Sequence, residues 1–183
     1  KENTAGSCVG GIAGENTGNI ENSTAQQSTK TEKNNEIHIQ SWVDDSYMGG
    51  IAGKNSGKII STNASIKINT GAVLAFLNDS GGACGGIAGE NTGDIRYYRF
   101  TGQIENGGRG SAYMGGIVGI NGSANGAKAH IESCYVYDRR LNERALTAQN
   151  KADNGQSKTV YASGENSTIG GIVGVNYKHA TVK

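Results

Sequence analysis

A seven-residue block returns five times along this chain, at Gly10–Asn16, Gly49–Asn55, Gly85–Asn91, Gly115–Asn121 and Gly170–Asn176, always as G-G-I-[AV]-G-x-N. An internal repeat of this kind implies stacked copies of one supersecondary unit, because each copy buries its apolar face only against its neighbours. The first glycines are separated by 39, 36, 30 and 55 residues. Insertions of variable length therefore belong in loops and not in the stacked elements.

Each block is followed by a second element opening on an Ile: Gly18-Asn19-Ile20, Gly57-Lys58-Ile59 and Gly93-Asp94-Ile95. In the fourth repeat, Ser123 to Lys128 intervene before Ala129-His130-Ile131. The fifth repeat reads as truncated after Asn176-Tyr177-Lys178. A third strand candidate precedes the next block, as in Glu36–Val43 with its period-two alternation and in Ala64–Ile68. Strand, tight turn, strand, looser turn, strand is the unit of a coil in which each strand pairs with its own copy about 4.8 Å away. The expected fold is all-β, an elongated right-handed β-solenoid of about five irregular rungs, forming one domain over residues 1–183. Ile12, Ile51, Ile87, Ile117 and Ile172 would make one ladder, and Asn16, Asn55, Asn91, Asn121 and Asn176 another. Stacked side-chain amides bond one another, and Asn tolerates turn geometry. One stretch departs from this pattern: Leu141, Ala145, Ala148 and Ala152 fall at helical spacing, which predicts either a short flanking helix over 139–152 or an ordered loop.

Composition narrows the function classes. Thirty glycines, no proline and 35% hydrophobic residues suit a narrow core of small side chains and amides committed to ladders. A net charge of +1 supplies no basic excess for phosphates, which argues against nucleic acid. No run approaches the roughly 18 apolar residues of a membrane-spanning helix, so no membrane insertion is expected. Lys1 is an unusual start, and the chain reads as an excised piece of a longer surface protein. Cys8, Cys84 and Cys134 are an odd set without a C-x-x-C pair, pointing to neither a disulfide framework nor zinc. Cys84 takes a place held elsewhere by Val9, Met48, Met114 and Ile169, and is expected to be a small buried side chain. His38, His130 and His179 lack metal-ligand spacing. Asp44, Asp45 and Asp79 form no calcium loop, and no Gly-Lys-Ser/Thr follows the glycines to cradle a phosphate. No cofactor and no metal are expected.

The blocks and their following strands resemble the GLUG motif, found in bacterial adhesin-like proteins and in surface-anchored IgA-specific metallopeptidases of streptococci. The resemblance spans five blocks and about half of the chain. It implies an extracellular, β-solenoid-like module of a bacterial cell-surface protein. It implies no catalytic site here, since those metallopeptidases carry an H-E-x-x-H zinc site in a separate region and this chain has none.

Function should then lie in what differs between repeats. After the fixed Ile, repeat three carries Arg96, Tyr97, Tyr98 and Arg99, and repeat four carries Tyr135, Tyr137, Arg139 and Arg140, where repeats one and two have small polar residues. Tyr and Arg dominate binding hot spots, so these eight residues are the expected binding patch, although strand alternation would send half of the rings into the core. Tyr47 and Tyr113 share a position two residues before Gly-Gly, and Trp42 lies close by in sequence. The expected function is non-catalytic binding or adhesion, to a host extracellular protein such as immunoglobulin or to a glycan. The alternatives are a passive structural stalk and a polysaccharide-acting solenoid enzyme, although no repeat-aligned carboxylate pair stands out.

Overall fold

The computed structural model describes residues 6–25, 37–62, 68–70, 72–76, 81–106, 111–136, 160–162 and 167–183. Among them there is no helix. Twenty-two short strands form five sheets, and every pairing is parallel. The predicted helix over 139–152 lies outside the described residues.

The repeated block makes the first two sheets. Cys8–Gly10, Tyr47–Gly49, Ala83–Gly85, Tyr113–Gly115 and Thr168–Gly170 form the first, stacked in chain order. Ala13–Asn16, Ala52–Asn55, Ala88–Asn91, Val118–Asn121 and Val173–Asn176 form the second, in the same order. Like pairs with like: Gly10 faces Gly49, and Asn91 faces both Asn55 and Asn121. The third sheet holds the strands after the block, Asn19–Glu21, Lys58–Ile60, Asp94–Arg96, His130–Glu132 and Thr181–Val182. Thr181 and Val182 pair with His130 and Ile131, so the fifth repeat is not truncated at Lys178; its second strand begins after a short turn. Sheet four contains Ile68–Thr70, Tyr98–Phe100 and Tyr135–Val136, and sheet five Ile37–Ser41, Ala72–Phe76, Gln103–Asn106 and Val160–Ala162. Parallel strands stacked into sheets in sequence order are consistent with a β-solenoid.

The Gly-Gly pair is explained by the space at its two positions. A Cβ on Gly85 would stand 2.1 Å from the Ala88 carbonyl oxygen, and one on Gly49 2.0 Å from that of Ala52. The first glycine thus permits the sharp turn between sheets one and two. A Cβ on Gly86 would meet the Phe100 ring at 2.3 Å, and one on Gly116 the Val136 side chain at 2.4 Å. The second glycine leaves room for an apolar side chain from sheet four to close over the corner. Neither position has room for a Cβ in the inner repeats, whereas one on Gly171, in the last block, would meet nothing within 4 Å.

The core is one continuous cluster. Ile51, Ile87 and Ile117 are fully buried, and Met48, Cys84 and Met114 form a second buried column beside them. Burial alone pushes the Cys84 thiol far above its ordinary range, so it behaves as a small apolar side chain, as its column suggests. All three cysteines are free thiols.

The Asn ladder is polar and is buried from Asn16 to Asn121, with Asn176 exposed at its end. Asn16 Nδ2 donates to Asn55 Oδ1 at 2.7 Å, Asn55 to Asn91 at 2.7 Å, Asn91 to Asn121 at 2.9 Å, and Asn121 to Asn176 at 2.8 Å. Each amide nitrogen also reaches a backbone carbonyl, such as Asn91 Nδ2 to Gly93 O at 3.1 Å. The column satisfies groups that would otherwise cost about 1–3 kcal/mol each when buried without a partner.

Candidate functional site

The expected patch divides at one residue. Tyr97 has φ of 61°, in the left-handed region, and separates Asp94–Arg96 from Tyr98–Phe100. Asn22 and Ser133 occupy the corresponding corners of their repeats, with φ of 51° and 52°. The corner resets the in–out alternation. Ile95 points inward, and so do Tyr98 and Phe100, both fully buried. Tyr98 therefore does not belong to a surface patch. Its hydroxyl donates to the Ser23 carbonyl at 2.9 Å, and burial pushes its pKa up to about 12.

What remains outward is narrower than the expected eight residues. Arg99 and Tyr135 are directly opposed in neighbouring strands, with Tyr135 exposed and Arg99 half-buried. Arg96 is held on a separate sheet, its guanidinium 3.2 Å from Asp94 Oδ2 and 3.7 Å from Glu132 Oε2. His130 Nε2 lies 3.2 Å from the same Glu132 oxygen, and His130 Nδ1 is 2.6 Å from Thr181 Oγ1. Arg96 is thus partnered across two repeats, while its Nε is buried without a hydrogen bond. Tyr137, Arg139 and Arg140 lie outside the described residues.

A second surface was not foreseen. The variable residue of the block, just before the Asn, forms the column Glu15, Lys54, Glu90, Ile120 and Val175. Its first three members line a groove with Thr17, Ser56 and Thr92, which follow the Asn column, and with Asn16 and Asn55; the groove holds about 140 Å³. Lys54 Nζ sits 4.0 Å from the centre of the Tyr47 ring and 3.8 Å from Glu90 Oε2. Cys8 Sγ donates to Glu15 Oε1 at 3.3 Å. Burial raises the pKa of Glu90, and Lys54 pulls it back down. Aligning the five blocks and reading the x position would have revealed the repeat-aligned Glu15 and Glu90. Scanning for carboxylate pairs along the chain missed it, since two repeats separate them.

Trp42 is the most exposed large apolar side chain described, 71% accessible. It stands on a turn tied by Ser41 Oγ donating to Ser46 Oγ at 2.9 Å and by Ser46 Oγ donating to the Val43 carbonyl. Asp45, with φ of 54°, makes the bend. Among the described residues no cluster of three or more His, Cys, Asp or Glu is placed to hold a metal ion, and no helix is long and apolar enough to cross a membrane.

The family model described as the GLUG motif matches residues 5–26, which contain the first block and the strand after it. The chain therefore carries a GLUG-motif repeat region, its other four blocks stacking in register on the matched one. The motif suggests a repeat module of extracellular proteins. No curated protein and no solved structure matches the chain.

Proposed function

We propose that the chain is a non-catalytic binding module of a bacterial cell-surface protein. In this reading it is one right-handed β-solenoid of about five rungs, part of a longer extracellular polypeptide. Right-handed crossovers are the near-universal choice for parallel strands. Its ligand is a host extracellular protein, immunoglobulin first, or a glycan. The observation that carries the reading is Arg99 beside exposed Tyr135, a pairing of two hot-spot residue types on a scaffold whose Gly, Ile and Asn columns are repetitive. The test is binding of the chain to purified immunoglobulin, to serum and mucus proteins, and to a glycan array. Arg99→Ala combined with Tyr135→Ala should weaken the interaction about 30-fold or more, equivalent to ~2 kcal/mol. Full binding by that variant would move the ligand off this flank. The absence of any ligand would favour a passive stalk.

One observation supports a second reading, a polysaccharide-acting enzyme. Glu15 and Glu90 flank one groove on backbones two strand spacings apart, about 9.6 Å, a placement from which two carboxyl groups can reach the ~6.5–9.5 Å separation used by inverting glycosidases. Release of reducing ends from a polysaccharide, abolished in Glu90→Gln, would establish it and displace the binding module.

A further inference from the structure

Two variable columns lose their polarity at the same place. The residue before each Asn runs Glu15, Lys54, Glu90 and then Ile120 and Val175; the residue after it runs Thr17, Ser56, Thr92 and then Gly122 and Tyr177. Over the first three blocks these columns are the two walls of the groove. The Asn ladder continues through all five blocks, so stacking does not demand the polar stretch.

The charged groups in the groove are held ready for a guest. Lys54 Nζ and Glu90 Oε2 stand 3.8 Å apart, beyond the roughly 2.7–3.2 Å of a hydrogen bond. Among the described residues neither side chain makes a hydrogen bond, although that of Glu90 is only 22% exposed. The Tyr47 ring, 4.0 Å from Nζ, fixes the ammonium and so reduces the entropy lost when a ligand engages it. On the facing wall the Ser56 and Thr92 hydroxyls make only long contacts, 3.4 and 3.5 Å, to the Asn16 and Asn55 carbonyls.

The walls select the guest by its chemistry. A carboxylate only accepts, an ammonium only donates and a hydroxyl does both. Hydroxyls on adjacent carbons match that set: two O–H groups donate to the Glu90 carboxylate, and an oxygen accepts from Lys54. Two carboxylates against one ammonium repel a phosphate, sulfate or uronate. Every lining residue is polar, which suits no lipid. An extended peptide would add through its backbone to a sheet edge, but the Asn16 and Asn55 carbonyls at the floor already accept from the Ser56 and Thr92 amides at 2.9 and 2.7 Å. About 140 Å³ suits one ring, with the rest of a chain running along the stack.

We infer that the groove walled by Glu15, Lys54 and Glu90 and by Thr17, Ser56 and Thr92 holds one uncharged pyranose ring of a linear glycan, gripped through vicinal hydroxyls by Glu90 and Lys54. The inference rests on the binding-module reading with a glycan as ligand, and it gives that ligand a site on the second sheet, apart from Arg99 and Tyr135 on the fourth.

NMR titration of the isotope-labelled whole chain tests this, with cellohexaose, mannohexaose and maltohexaose as neutral probes and an oligogalacturonate of the same length as the charged control. At least one neutral probe should shift the amide signals of Lys54, Ser56, Glu90 and Thr92 at millimolar concentration, and the oligogalacturonate should leave them in place. Glu90→Gln, which keeps the shape and removes the charge, should weaken binding about tenfold or more, and Thr92→Val about threefold, each with the wild-type spectrum retained outside the groove. Shifts confined to the surroundings of Arg99 and Tyr135, or a Glu90→Gln chain that binds as tightly as wild type, would overturn the groove and leave a glycan-binding module standing. Binding of immunoglobulin with no response to any neutral probe would also overturn the groove and leave the module. A chain that takes up no sugar and no serum or mucus protein would remove both.

Discussion

One residue separates the Asn column from the column Glu15, Lys54, Glu90, Ile120 and Val175, yet the two are governed by different physics. The inner Asn side chains, Asn55, Asn91 and Asn121, are enclosed by neighbouring repeats, and each is both donor and acceptor to its own kind. Any other residue at that position leaves two partners unmatched, so the position is the same in all five repeats. The preceding column faces outward. Its members interact through a cation over a ring and an ion pair at 3.8 Å, both partly in water, where such contacts are weak. Residue choice there is free, and it runs from acidic through basic to aliphatic along the stack. Constancy therefore marks what the scaffold needs, and variation marks where a ligand can be addressed.

Three substitutions probe that contrast. Asn91→Ala should lower unfolding free energy by about 3 kcal/mol in a denaturant titration, because Asn55 Nδ2 and Asn121 Oδ1 both lose a buried partner. A loss below about 1 kcal/mol would mean that water or backbone replaces the amide, and the column would be decorative. Tyr98→Phe should cost about 1 kcal/mol near neutral pH through the Ser23 hydrogen bond. Its pH dependence is the sharper readout. The phenol pKa is raised in the folded chain, from 10.0 to about 12, so the folded state retains that proton. The resulting stability is fully present below pH 10 and is lost as pH climbs through 12. The gap between wild type and Tyr98→Phe should therefore narrow between pH 10 and 12; a constant gap would show that the ring is not buried as described. Lys54→Ala should have the smallest effect, under about 0.5 kcal/mol on stability. It should nevertheless raise the Glu90 pKa further in an NMR titration, since Lys54 is the group that holds it down.

Much of the scaffold was legible in the sequence because stacking forces identity. Five copies of one block announced which residues would be neighbours, and the Ile and Asn columns follow directly from aligning them. The candidate patch was less legible for a specific reason. The run Ile95–Phe100 reads as one alternating strand, in which Tyr98 would face outward from the side opposite Tyr97 and Arg99. The left-handed corner at Tyr97 breaks that alternation, and no glycine announces it, since Tyr, Asn22 and Ser133 all accept the same strained backbone. The groove beside the Asn column was hidden differently: Glu15 and Glu90 are 75 residues apart in the chain and become neighbours only through Lys54.

The unequal spacing of the blocks has a practical meaning. Asn91 and Asn121 bond at 2.9 Å across 30 residues, and Asn121 and Asn176 at 2.8 Å across 55. The longer excursion leaves no mark on the ladder, and its extra closure entropy is only about 0.5 kcal/mol. The molecule is in effect a display frame: outside the paired strands, a loop between one block and the next can be lengthened or carry a grafted epitope with little thermodynamic consequence for the parts that hold it.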